Sequence, residues 1–176
     1  MLLVGSVTGV ENWTVGTSRI PRFALPLQVA AVCYRRSDAG VEFLLVRTNG
    51  GLKWTFPKGD PERDLSHSQA AEREAWEEAG AKGSIERDHF HLYIHSKGVF
   101  WKAPGVQEYV VKAFLLEVAH TRGEAEPKRD PTWFSFEEAR KTLGKGREVK
   151  YAQELQRVMD LALQRIGRER PVGVRG

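Results

Sequence analysis

The stretch from Trp54 to Ala81 constrains this chain more than any other. A short β-rich run ends at Pro57-Lys58-Gly59, a polar loop Asp60–Asp64 follows, and a helix then runs to Gly80. Ser66 with Gln69 three positions on is a capping-box pattern, with Ser68 as a rival cap, and Gly80 suits the C-terminal cap. At about 100° per residue, Glu74, Glu77 and Glu78 fall within about 100° of arc on one helix face. Like charges so close repel one another, and a solvated helix gains nothing from them. A divalent cation removes that repulsion, and Mg²⁺ favours a few carboxylates together with water and phosphate oxygens. Gly59 permits the dihedrals and the close approach by which a backbone carbonyl reaches an ion. Arg73, one turn before Glu77, is placed to orient a carboxylate as a counter-charge. Strand, glycine turn, polar loop and acidic helix together describe a metal-and-phosphate site. The competing reading is an exposed helix with ordinary i,i+4 ion pairs.

The flanks predict a mixed α/β domain. Leu27–Arg35 and Val41–Thr48 are β-rich runs joined by the turn Ser37-Asp38-Ala39-Gly40, and Leu52–Phe56 reads as a third short strand. Phe90, Leu92 and Ile94 alternate with His89, His91, Tyr93 and His95, which predicts a half-buried strand with the histidines on a polar outer face. Val106–Ala119 is a long apolar strand, and Ser135–Leu143 and Val149–Ile166 are closing helices. The order β-β-β-α-β-β-α-α fits an α/β (α+β) fold around a mixed sheet. Three segments follow: an irregular lead-in over 1–25, one domain over 26–167 and a flexible basic tail over 168–176.

Composition excludes several classes. With 176 residues, 41% hydrophobic and 28% charged, the chain is long enough for one core without staples and too apolar for wholesale disorder. The single cysteine, Cys33, sits in an apolar run and reads as a buried core thiol. No run approaches the roughly 20 apolar residues of a membrane span. A cytoplasmic compartment is the default expectation. The formal charge of +4 suits a polyanionic ligand, but no continuous basic helix or RNA-binding motif supports a nucleic-acid partner.

The segment Gly59–Ala81 resembles the Nudix box, G-x5-E-x7-R-E-U-x-E-E-x-G-U with U aliphatic. Gly59, Arg73, Glu74, Glu77, Glu78 and Gly80 all fall on their positions. From typical residue usage, such a set arises by chance on the order of once in ten million start sites. Trp54-Thr55-Phe56-Pro57-Lys58-Gly59 before the box and Trp133-Phe134-Ser135-Phe136-Glu137-Glu138-Ala139 after the long strand resemble the same family. The closest flavour is that of the diadenosine polyphosphate and diphosphoinositol polyphosphate hydrolases. One position departs: Leu65 stands where the first box glutamate is due. Ala75 and Ala81 are smaller than the usual aliphatic residues, a lesser departure.

The resemblance implies a Nudix-type α/β/α sandwich and a hydrolase of phosphoanhydrides using Mg²⁺, for which Mn²⁺ can substitute. It implies Glu74 and Glu78 as metal ligands, helped by a backbone carbonyl at Lys58 or Gly59, and Glu77 as general base, with Arg73 beside it. Glu108, Glu117, Glu124 and Glu126 remain open as alternative bases. Arg47, Thr48 and Asn49 are substrate-binding candidates from before the box, and Lys128, Arg129 and Lys145 from the far side. The loop Ser96–Gly105, with Phe100 and Trp101, is a candidate lid or nucleobase platform. A small nucleotide or polyphosphate is the expected partner, and a homodimer is compatible with the sequence though nothing demands one. A non-catalytic nucleotide-binding module and an RNA 5′-pyrophosphohydrolase are the alternatives to a dinucleoside polyphosphate hydrolase. A diphosphoinositol polyphosphate would need a denser cluster of Lys and Arg than the sequence assembles.

Overall fold

β1 (Leu27–Ser37) has both faces buried, and its alternation divides the core in two. Val29, Ala31 and Cys33 pack into one hydrophobic cluster, while Ala30, Val32 and Tyr34 pack into the other. This is the period-2 consequence of a strand covered on both sides. The computed structural model describes residues 24–98, 105–123 and 125–168. Most of the lead-in, the aromatic part of the candidate lid, Glu124 and most of the basic tail therefore lie outside the described residues.

The sheet is mixed. β1 pairs antiparallel with β2 (Gly40–Arg47) through the expected turn, and parallel with the long β7 (Val106–Thr121). β7 carries β6 (His91–Gly98) and β5 (Ala81–Ile85) antiparallel, and β8 (Thr132–Ser135) joins β2. Helix α1 (His67–Ala79) covers one face through Ala70, Ala71, Ala75 and Ala79. Helices α2 (Phe136–Gly144) and α3 (Val149–Arg168) cover the other, with Leu143, Leu155, Val158, Met159 and Ile166 in the core. The α/β/α sandwich expected from the sequence is the architecture found. Cys33 is fully buried, and burial pushes its thiol up to about 12, as a core residue requires. Among the described residues, no helix is long and apolar enough to cross a membrane.

Several expectations need correction. The third strand is only β3 (Trp54–Thr55), and Lys58–Gly59 forms a separate short strand, β4, paired with β1 at Ala30 and Val29. β5 and β8 carry no clear sequence pattern. β5 bulges against β7 between Lys82 and Gly83, which breaks its period, and a Cβ at Gly83 would overlap the Glu117 carbonyl. The histidine strand is inverted. Tyr93 is buried while Leu92 is 46% exposed, because β6 pairs Tyr93 with Val111 and so turns the odd-numbered residues toward the core under α3. A one-residue choice of register flips every side chain of a strand.

Candidate active site

The capping box at Ser66 is complete: its hydroxyl accepts from the Gln69 N–H, and the Gln69 side chain accepts from the Ser66 N–H. Gly80 closes the same helix at a φ of 63°, the left-handed conformation that favours glycine. These caps set the rotation of α1, and with it the direction of its three glutamates.

Glu78 is buried, at 6% exposure. Its Oε2 accepts from the Lys58 N–H at 3.2 Å, and its Oε1 pairs with the Arg129 guanidinium at 2.8 Å. Glu74 lies one turn earlier, so close to β4 that a Cβ on Gly59 would overlap its carboxylate. Close approach is thus what Gly59 provides; its φ is not among the positive ones. Burial raises the Glu74 carboxyl to about 7, with repulsion from Glu78, Glu77 and Glu62 adding to it. Burial likewise raises Glu78, against the pull of Arg129 and Lys58. Two carboxylates that resist ionising beside one another, facing a backbone with no Cβ, fit a divalent cation well. Among the described residues, no three His, Cys, Asp or Glu side chains converge tightly enough to hold an ion alone. An ion beside this pair would need further donors from the backbone, the ligand or solvent.

Glu77 stands apart from that pair. It is half-exposed and accepts from Arg73 Nε at 2.7 Å. Among the other candidate bases, Glu117 faces Arg36 and Tyr34, and Glu108 accepts from the Tyr151 hydroxyl. Glu126 belongs to the network itself. It pairs with Arg129 at 2.5 Å, and its N–H donates to the Glu77 carbonyl at 2.9 Å, tying the loop after β7 to the end of α1.

A pocket of about 660 Å³ opens beside Glu78. Thr48, Asn49, Lys58 and Arg129 line it, as the sequence candidates require. Arg47, Lys128 and Lys145 do not line it. Arg47 stacks on Trp54 at 3.9 Å, Lys128 is exposed on its loop with a φ of 68°, and Lys145 is the exposed C-cap of α2. The structure brings in Lys53 and Arg147, which sequence reasoning missed, together with Lys97 of the candidate lid and His95 of the histidine strand. Arg147 is fixed by donating to the Leu143 and Trp54 carbonyls, both at 2.7 Å. Burial and the concentration of charge both shift the groups here. Burial, then Arg147, Arg129 and Lys97, lower Lys58 to about 8 against the pull of Glu78. Burial and the cations Lys58, Arg147, Lys97 and Lys53 push His95 down to about 2, so it stays neutral. No local pattern could have found Arg147 or Lys53; the inverted strand hid His95.

Comparisons with known proteins bear on the family and the fold. Nudix hydrolase 18, mitochondrial, of Arabidopsis thaliana is 40% identical over 63 residues, which are 35% of this chain and 36% of that protein, so the match spans little more than a third of that curated relative. A Caenorhabditis elegans Ap4A hydrolase in a binary complex superposes with a TM-score of 0.59 at 20% identity, over 81% of this chain and 98% of its own. A NUDIX hydrolase from Nitrosomonas europaea reaches 0.57 at 23% identity, over 85% and 94%. The NUDIX domain of Shewanella oneidensis NrtR, solved with ADP ribose, reaches 0.57 at 19% identity, over 89% and 98%. At these identities the structures speak for the fold alone. The NUDIX domain model itself matches residues 26–155, from β1 into α3 and across the whole acidic-helix site, and on that match the chain belongs to the NUDIX domain family.

Proposed function

We propose that this protein is a Mg²⁺-dependent hydrolase that cleaves a phosphoanhydride in a nucleoside diphosphate linked to another moiety, with a dinucleoside polyphosphate as the leading substrate. The observation that carries it is the joining of Glu74 and Glu78, beside Gly59, to a pocket walled by Lys53, Lys58, Lys97, Arg129 and Arg147. Polyphosphate oxygens are the ligands that such a wall neutralises. Glu74 and Glu78 would hold the cation with the carbonyl of Gly59 or Lys58. When bound, it neutralises charge on the phosphate oxygens and acidifies a water. Glu77, oriented by Arg73, is the candidate to accept the proton of that water. Arg129 and Arg147 are placed to fix phosphate oxygens, each already anchored by other bonds and so losing little freedom on binding.

A second reading has gained a specific observation. The pocket's cations are the dense Lys and Arg cluster that a diphosphoinositol polyphosphate would need. Its described lining contains two aromatic rings, the imidazole of His95 and the phenol of the buried Tyr151. Phe100 and Trp101, the expected base platform, lie outside the described residues.

Turnover of a panel separates these readings: diadenosine polyphosphates, ADP-ribose, nucleoside triphosphates, 5′-triphosphate RNA and diphosphoinositol polyphosphate, each with Mg²⁺ or EDTA. Metal-dependent cleavage of the first class is expected. Cleavage of the inositol compound alone would establish the second reading. Nucleotide binding with no turnover anywhere would make the chain a binding module.

Metal affinity should depend on pH with a defined sign. A cation takes Glu74 only as carboxylate, and that group titrates near 7. Apparent Mg²⁺ affinity therefore weakens toward tenfold per pH unit as the pH falls below about 7 and levels off above it. Calorimetric titration near pH 6.5 in buffers of different ionisation enthalpy should show proton release; a titration flat from pH 5.5 to 8 would contradict it.

A further inference from the structure

The part of α1 that carries Glu77 is clamped from outside. The Arg73 guanidinium donates from Nε to Glu77 and from Nη1 to Glu62, both at 2.7 Å. Glu62 opens a tight turn in which its carbonyl accepts from the Leu65 N–H at 3.3 Å. The two ends of that turn have opposite fates. Leu65 packs against the core cluster that contains Val29, Ala31 and Ala71, while the Glu62 carboxylate meets Arg73. The apolar residue at the departing box position is thus a core residue, and a carboxylate three residues earlier reaches the arginine.

The clamp is open to water. The side chains of Arg73, Glu62 and Glu77 are 52%, 37% and 48% exposed. Ion pairs so exposed add little to stability. Their consequence is geometric. An exposed arginine bonded to one carboxylate keeps much of its rotamer freedom, whereas the rigid guanidinium fork bonded to two is held in one orientation. Glu77, bonded to that fork, is then held as well.

We infer that Glu62 is a positioning residue, which fixes Arg73 and through it the Glu77 carboxylate. This rests on the reading of Glu74 and Glu78 as the cation-holding pair and Glu77 as the base for the attacking water. Glu62 touches none of the reacting atoms. Its loss should therefore slow the chemical step and leave substrate affinity and the melting temperature where they were.

The test is a cycle of Glu62→Gln, Arg73→Gln and the double variant, read by kcat, KM, Mn²⁺ binding by electron paramagnetic resonance and thermal melting. In Glu62→Gln, kcat should fall about tenfold, the scale of losing a partner one step removed from a site. KM, Mn²⁺ affinity and melting should stay within twofold or one degree, roughly the scatter of an exposed substitution. In the Arg73→Gln background the same change should cost nothing further, because coupled residues are non-additive. A wild-type rate in Glu62→Gln, or losses that simply multiply in the double variant, would overturn the role of Glu62 alone. A wild-type protein that binds no Mn²⁺ would overturn the reading of the site, and the inference with it.

Discussion

Glu78→Gln should lower kcat by about a thousandfold, close to 4 kcal/mol of barrier, while the protein stays folded. Glu78 is the deepest of the three helix glutamates, and both its oxygens are engaged, one by the Lys58 N–H and one by Arg129. The amide keeps an oxygen for one of these bonds but removes the charge that balances Arg129 and Lys58 and that a cation requires. Stability moves in two directions. Repulsion with Glu74 disappears, which favours the fold, while Arg129 retains its pair with Glu126. The melting temperature should therefore shift by only a few degrees, because the two changes offset. Initial rates at saturating substrate, beside a melting curve, decide the matter. A variant that keeps a tenth of the wild-type rate would remove Glu78 from the centre of the mechanism.

Gly59→Ala should reduce turnover about a hundredfold, through Glu74 and not through the fold. A methyl group at this position overlaps the end of the Glu74 side chain, which has the freedom to swing aside. The backbone of β4 stays paired with β1 at Val29, and the φ of Gly59 makes no special demand. The expected signature is weaker Mn²⁺ binding with a melting temperature close to wild type. Unchanged metal affinity would mean that Glu74 is not a ligand.

What was legible in the sequence was legible because it is local. The capping box Ser66–Gln69, the glycine cap at Gly80 and the i, i+3, i+4 spacing of Glu74, Glu77 and Glu78 are properties of one helix, whose geometry is the same in any context. The alternating strand β1 and the helices α2 and α3 were readable for the same reason. Failures began where a segment's conformation depends on its neighbour. The His89–His95 pattern permits either face inward, and only the pairing of β6 with β7 selects Tyr93 and His95. Arg47 has the right residue type at a plausible spacing, yet the Trp54 ring holds it away from the pocket.

The sequence by itself therefore determined the acidic helix face, which is written in short-range spacing, and through the resemblance that this spacing carries, the family and its sandwich. Tertiary structure alone decided what surrounds that face. Lys53, His95, Arg129 and Arg147 come from distant segments and meet at one pocket because β1, β6, β7 and α3 pack as they do. It also decided that Glu62, and not the residue at position 65, reaches Arg73. Sequence spacing measures distance along the chain, whereas the field at a phosphate falls off with distance through space.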